Sequence, residues 1–99
     1  MYKSEQLIQE HKEVCEKLNE IYTQKNRAYG NGFGETYADL GIISAVTRMS
    51  DKFNRLKTLA KNADISQGDE SIADTLLDLA NYAIMTYMEV MRDDKTGTD

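Results

Sequence analysis

The chain contains no proline, and four of its six glycines fall within one short stretch, at 30, 32, 34 and 41. Proline interrupts helices and clustered glycine weakens them. The sequence therefore predicts long helices separated by one glycine-rich joint and one polar turn. The first predicted helix runs from about Ser4 to Arg27, with Ser4 as N-cap and Glu5 in the first turn, where the helix dipole favours negative charge. Leu7, His11, Val14, Leu18, Ile21 and Lys25 recur every three or four residues and form its stripe. The stripe ends in YGNGFG, residues 29–34, where three glycines are expected to end the helix.

The second predicted helix covers about Tyr37 to Lys61. Its apolar face includes Leu40, Ile43, Val46, Met49, Phe53 and Leu56. The segment NADISQGDE reads as a turn, with Asp69 capping a third helix over about 69–92. That helix is apolar around much of its circumference, as in a helix buried on several sides. Three helices in 99 residues leave little to cover it. The expected architecture is all-α, three long helices in a bundle completed by oligomerisation to a dimer or tetramer. Residues 1–92 form one domain and residues 93–99 a flexible polar tail.

Composition narrows the function. A net charge of −5 argues against general binding of a nucleic-acid polymer through phosphates. No apolar run reaches the ~20 residues of a membrane span. The opening residues lack the basic-then-apolar order of a secretory signal, and the single cysteine cannot form an internal disulfide. A cytoplasmic protein is expected.

Charge distribution says more. Residues 40–62 hold Arg48, Lys52, Arg55, Lys57 and Lys61 against Asp51 alone, and residues 63–79 hold five acidic residues with no basic one. Salt bridging between helices is the plain explanation. However, Glu70, Asp74 and Asp78 step by four and share a helix face, the last two within an apolar run. A carboxylate row there is costly unless it is paired or holds a cation. Oxygen-only ligands suit Mg²⁺ or Mn²⁺. If the second and third helices pack antiparallel, Asp51 joins Glu70, Asp74 or Asp78 around one metal. Arg48, Lys52 and Arg55 then lie at the rim, where a phosphate chain needs cations.

These residues carry a resemblance. DESIADTLLDLANYAIM (69–85) is similar to a core helix of the MazG-like all-α nucleoside triphosphate pyrophosphatases. Asp74 matches the aspartate of their ExxD motif, and Asn81 the asparagine two turns on. Asp51-x-x-Asn54 stands in place of the upstream ExxE motif, and Ser71 in place of the ExxD glutamate, with Glu70 one position earlier. KNRAYGNGF (25–33), LGIISAVTRMSDKFNRLKTL (40–59) and the 69–85 stretch together resemble the nucleotide modification associated domain 1 proteins of phages and bacteria. The resemblance implies a helical protein connected with nucleotides, in the host cytoplasm if a phage encodes it.

The expected activity is Mg²⁺- or Mn²⁺-dependent hydrolysis of a (deoxy)nucleoside triphosphate to monophosphate and pyrophosphate. Asp51, Glu70, Asp74 and Asp78 are the metal ligands, with no separate general base. Lys25, Asn26, Tyr29, Arg48, Lys52, Arg55 and Asn81 are the nucleotide-binding candidates. For Lys25, Asn26 and Tyr29, an ordinary helix C-terminus closed by Gly30 is the competing explanation. Two alternatives stay open: a nucleotide-binding phage protein that sequesters a nucleotide signal or regulates a partner without turnover, and a purely structural helical oligomer. His11 is expected in the core or an interface, Cys15 as a buried small hydrophobe, and Tyr82 and Tyr87 as packing residues.

Overall fold

The computed structural model describes residues 3–62 and 71–97. All elements among them are α-helices: α1 (Ser4–Tyr29), α2 (Gly32–Leu40), α3 (Ile42–Lys61) and α4 (Ile72–Gly97). The chain divides into two compact units, Met1–Gly30 and Asn31–Asp99.

The first unit is α1. Ser4 is its first helical residue, and the cap position falls one residue earlier, at Lys3. The Lys3 N–H donates to Gln6 Oε1 at 2.9 Å, so a side chain in the first turn satisfies the entering backbone. The helix stops at Gly30, whose φ of 77° is the left-handed region and whose N–H donates to the Asn26 carbonyl at 2.7 Å. Leu18 is buried, whereas His11 and Cys15 are both exposed, with Sγ and Nδ1 3.7 Å apart. Cys15 is thus not the buried hydrophobe its place on the stripe suggested.

The second unit departs from expectation at both ends of the glycine-rich stretch. Gly32 and Gly34 lie inside α2 rather than outside any helix. Asn31 makes this workable: its side chain accepts the Gly34 N–H at 3.2 Å, and its carbonyl accepts the Glu35 N–H at 3.1 Å. Satisfying two otherwise orphaned donors offsets the poor propensity of glycine in a first turn. A Cβ at position 34 would collide with the Asn31 side chain, so glycine is what lets the cap close. Packing of the buried Tyr37 further holds α2 in place.

The expected second helix is in fact two. Gly41, again at φ 77°, ends α2 and starts α3. Its N–H donates to the Tyr37 carbonyl at 2.7 Å, and its carbonyl accepts from Ser44 N–H at 3.1 Å and Ser44 Oγ at 2.7 Å. One residue therefore serves both helix ends.

Helix α3 packs chiefly on α4, and α2 touches both. The pair is antiparallel: Lys52 meets Asp78, and Arg48, one turn earlier, meets Tyr82, one turn later. Ala45 and Leu59 of α3 and Thr75 and Thr86 of α4 are buried. The two threonines add no unmet hydroxyl, because Thr75 donates to the Ser71 carbonyl at 2.9 Å and Thr86 to the Tyr82 carbonyl at 2.6 Å. The expected capping residue Asp69 lies outside the described residues. Ser71 caps α4, its Oγ accepting the Asp74 N–H at 3.0 Å. The helix continues to Gly97, beyond the end expected at 92.

Candidate functional site

Three rows of side chains run along each helix of the antiparallel pair. On α3, Ala45, Lys52 and Leu59 face α4; Arg48, Asp51 and Arg55 form a second row, and Ile42, Val46 and Phe53 a third. On α4, Thr75, Tyr82 and Thr86 face α3; Asp74, Asp78 and Asn81 form the second row, and Ile72, Leu76, Ala83 and Tyr87 the third. The rows follow in the same rotational order on both helices. For antiparallel neighbours that places like rows on one side of the pair. One side is therefore charged and the other mainly apolar, with Lys57 over the Phe53 ring.

The charged side holds most of the expected site residues. The Arg48 guanidinium lies 5.8 Å from the Phe33 ring centroid and 6.0 Å from that of Tyr82. The two rings are stacked, 6.0 Å apart at 28°. One cation thus ties together α2, α3 and α4 through cation–π attraction, and its own freedom is reduced by two rings. Phe33 and Tyr82 are the residues that sequence reasoning missed in this role. Phe33 stands between two glycines in a segment expected to be a loop. Tyr82 belongs to the apolar run of α4. The one available signal was a large ring set between two glycines.

Lys52 and Asp78, expected as a phosphate-neutralising cation and a metal ligand, are paired with each other. Lys52 Nζ lies 3.1 Å from Asp78 Oδ2, and both side chains are about a quarter exposed. Asp74 is exposed in the first turn of α4, where its charge also favours the helix dipole. Asp51, Asn54 and Arg55 are exposed on α3. Glu70 lies outside the described residues. Among the described residues, no three of His, Cys, Asp and Glu are grouped as a metal would require. Asn81 is buried beside Tyr82. Lys57 lies off this side, its Nζ 5.4 Å from the Phe53 centroid.

Lys25, Asn26 and Tyr29 belong to the α1 unit. Lys25 is exposed, and Asn26 Nδ2 donates to the Tyr22 hydroxyl at 3.4 Å. Tyr29 is 85% exposed, unusual for so large a ring. Among the described residues, no helix is long and apolar enough to cross a membrane.

Compared with known families, residues 25–90 match the model of the nucleotide modification associated domain 1 family. No curated protein and no solved structure matches the chain.

Proposed function

The chain belongs to the nucleotide modification associated domain 1 family, and on that premise we propose that it binds a nucleotide through the charged side of the α3–α4 pair. The observation that carries this reading is Arg48, a guanidinium held by Phe33 and Tyr82. An arginine stacked in this way keeps its planar fork for a phosphate oxygen pair, and less entropy is lost when it binds. Lys52 and Arg55 add positive charge one and two turns on. Asn81 offers an amide for a base or sugar. Lys25, Asn26 and Tyr29 are nucleotide-binding candidates of the first unit, taken by itself.

Two outcomes for the bound nucleotide divide the reading. Binding without turnover is favoured by the Lys52–Asp78 pair, which already occupies the better-buried of the two described carboxylates of the row. A phage-encoded protein of this kind would sequester a nucleotide signal or regulate a partner in the host cytoplasm. Hydrolysis to monophosphate and pyrophosphate, as in the MazG-like enzymes, is favoured by Asp51 and Asp74, two exposed carboxylates on the same side as Arg48. The described carboxylates alone do not form a metal cage, so Mg²⁺ or Mn²⁺ would need Glu70 beside Asp51 and Asp74. Such an ion supplies polarisation of the phosphate and an activated water. We further propose that the helical bundle is completed by self-association.

The test is incubation with a panel of ribo- and deoxynucleoside triphosphates, with Mg²⁺ and then Mn²⁺, followed by chromatography. Monophosphate and pyrophosphate from one base, lost in Asp74→Ala, establish the enzyme. A nucleotide retained and recovered intact after denaturation, with its retention weakened in Arg48→Ala, establishes sequestration. A chain that neither turns over nor retains any nucleotide overturns the reading.

A further inference from the structure

The order of the Arg48 site traces back along the chain to the start of α2. Phe33 is the second residue of that helix, set between Gly32 and Gly34. Glycine is a poor helix former, so two of the first three residues favour fraying. Asn31 holds this turn: its Oδ1 accepts the Gly34 N–H at 3.2 Å, and its carbonyl accepts the Glu35 N–H at 3.1 Å. Tyr37, buried one turn beyond Phe33, anchors the body of α2 and leaves the first turn to the cap. The fit around the cap is close. A Cβ on Gly34 would lie 2.8 Å from both Cγ and Oδ1 of Asn31, whereas a Cβ on Gly32 would meet nothing within 4 Å. The turn so held sets the Phe33 ring 6.0 Å from that of Tyr82 and 5.8 Å from the Arg48 guanidinium. Among the described residues no carboxylate pairs with Arg48, so the two rings are what hold its charged head.

We infer that Asn31 is a positioning residue for the anion site: it caps α2, the cap fixes Phe33, and Phe33 fixes the Arg48 guanidinium. The inference rests on the nucleotide reading above and adds where the order of that site comes from. Without the cap, the Gly34 N–H has no intrahelical partner and the first turn of α2 unwinds. Arg48 then loses the Phe33 ring, and a freer arginine gives up more conformational entropy on gripping a phosphate. Affinity for a phosphate chain falls by about fivefold, the factor that a typical lost cap carries. Coupling of this kind is reciprocal. A phosphate chain that prefers the ordered guanidinium strengthens the Asn31 cap in return, so the Gly34 N–H exchanges with solvent more slowly once the chain is bound.

Inorganic triphosphate, titrated calorimetrically into the full chain, probes the anion site without a base. Asn31→Ala and Gly34→Ala are each expected to weaken its binding about fivefold. Asn31→Ser should restore it, since serine caps as well as asparagine, and Gly32→Ala should leave it unchanged. In a Phe33→Ala background, Asn31→Ala should have no further effect. A second readout needs no ligand. The Arg48 side-chain N–H resonance, displaced by the ring currents of Phe33 and Tyr82, should move in Asn31→Ala toward its position in Phe33→Ala. A chain that binds no triphosphate, or binds it equally well after Arg48→Ala, overturns Arg48 as the phosphate contact. Binding that Arg48→Ala removes but Asn31→Ala and Gly34→Ala leave unchanged overturns the role of Asn31 alone, as does an unmoved Arg48 resonance. If both cap variants lose their helical circular dichroism, hydrogen exchange in the wild type decides. A Gly34 N–H whose exchange is indifferent to saturating triphosphate overturns the role of Asn31.

Discussion

The two sides of the α3–α4 pair have the same helical geometry and opposite chemistry. On one side, Arg48, Asp51 and Arg55 run beside Asp74, Asp78 and Asn81. On the other, Ile42, Val46 and Phe53 run beside Ile72, Leu76 and Tyr87. The charged side is partly organised within the chain: Lys52 and Asp78 meet at 3.1 Å, and Arg48 is lodged against two rings. The apolar side is covered only in part, its large side chains remaining between 39% and 66% exposed. Hydrophobic burial is the main favourable term in folding and scales with the area removed from water. The contrast teaches that the chain holds the polar groups of one side against partners of its own while the large apolar groups of the other stay more than a third exposed.

Substitutions graded by size sharpen this contrast. The largest effect is expected between the two sides, at Leu59, which is 3% exposed. Leu59→Ala should destabilise by about 2–4 kcal/mol, through lost transfer energy and a residual cavity. Urea unfolding checks this, and a cost under ~1 kcal/mol would show that the contact row is not the core. Next comes Arg48→Ala on the charged side. It should weaken nucleoside triphosphate binding by at least ~10-fold, about 1.4 kcal/mol, in calorimetric titration. Arg48→Lys should fail to restore it, because an ammonium neither stacks as a plane nor grips two phosphate oxygens. Full restoration by lysine would reduce Arg48 to a point charge.

A smaller change is expected from Asp78→Asn. The pair with Lys52 is about a quarter exposed, so its loss should cost roughly 1 kcal/mol or less, and less still in high salt. Thermal unfolding at two salt concentrations measures this, and a cost independent of salt would contradict an electrostatic origin. The smallest effect is expected on the apolar side in dilute, dissociated protein. Val46→Ser there should change stability by no more than ~0.5 kcal/mol, as at an ordinary surface position. A larger loss in that dilute state would mean that the face already has an intramolecular partner.

Much of this contrast was legible in the sequence. Period-three-and-four spacing located the bodies of α1, α3 and α4, and the basic and acidic runs placed α3 and α4 side by side. The glycine stretch was misread because propensity is only a weak prior. Asn31 supplies the acceptor that a sequence-level penalty on Gly32 and Gly34 does not count. Gly41 fell inside a convincing apolar periodicity, and a single glycine does not announce whether its φ will be positive. The candidate site was legible by residue type but not by pairing. Whether Asp78 meets a lysine or a metal depends on the axial register between α3 and α4, which the spacing within either helix leaves open. Ser71, noted for replacing a glutamate, proved to have local work as the N-cap of α4.

Gly41 also has a mechanical consequence. If its φ and ψ both turned to right-handed helical values, α2 and α3 would merge into one continuous rod from Gly32 to Lys61, ~45 Å long at 1.5 Å per residue. Phe33 would then ride outward on the end of that rod, some 20 Å along the axis from Arg48. The guanidinium would keep one ring of its two. The two backbone torsions of one glycine thus decide whether the cation is clamped or half released.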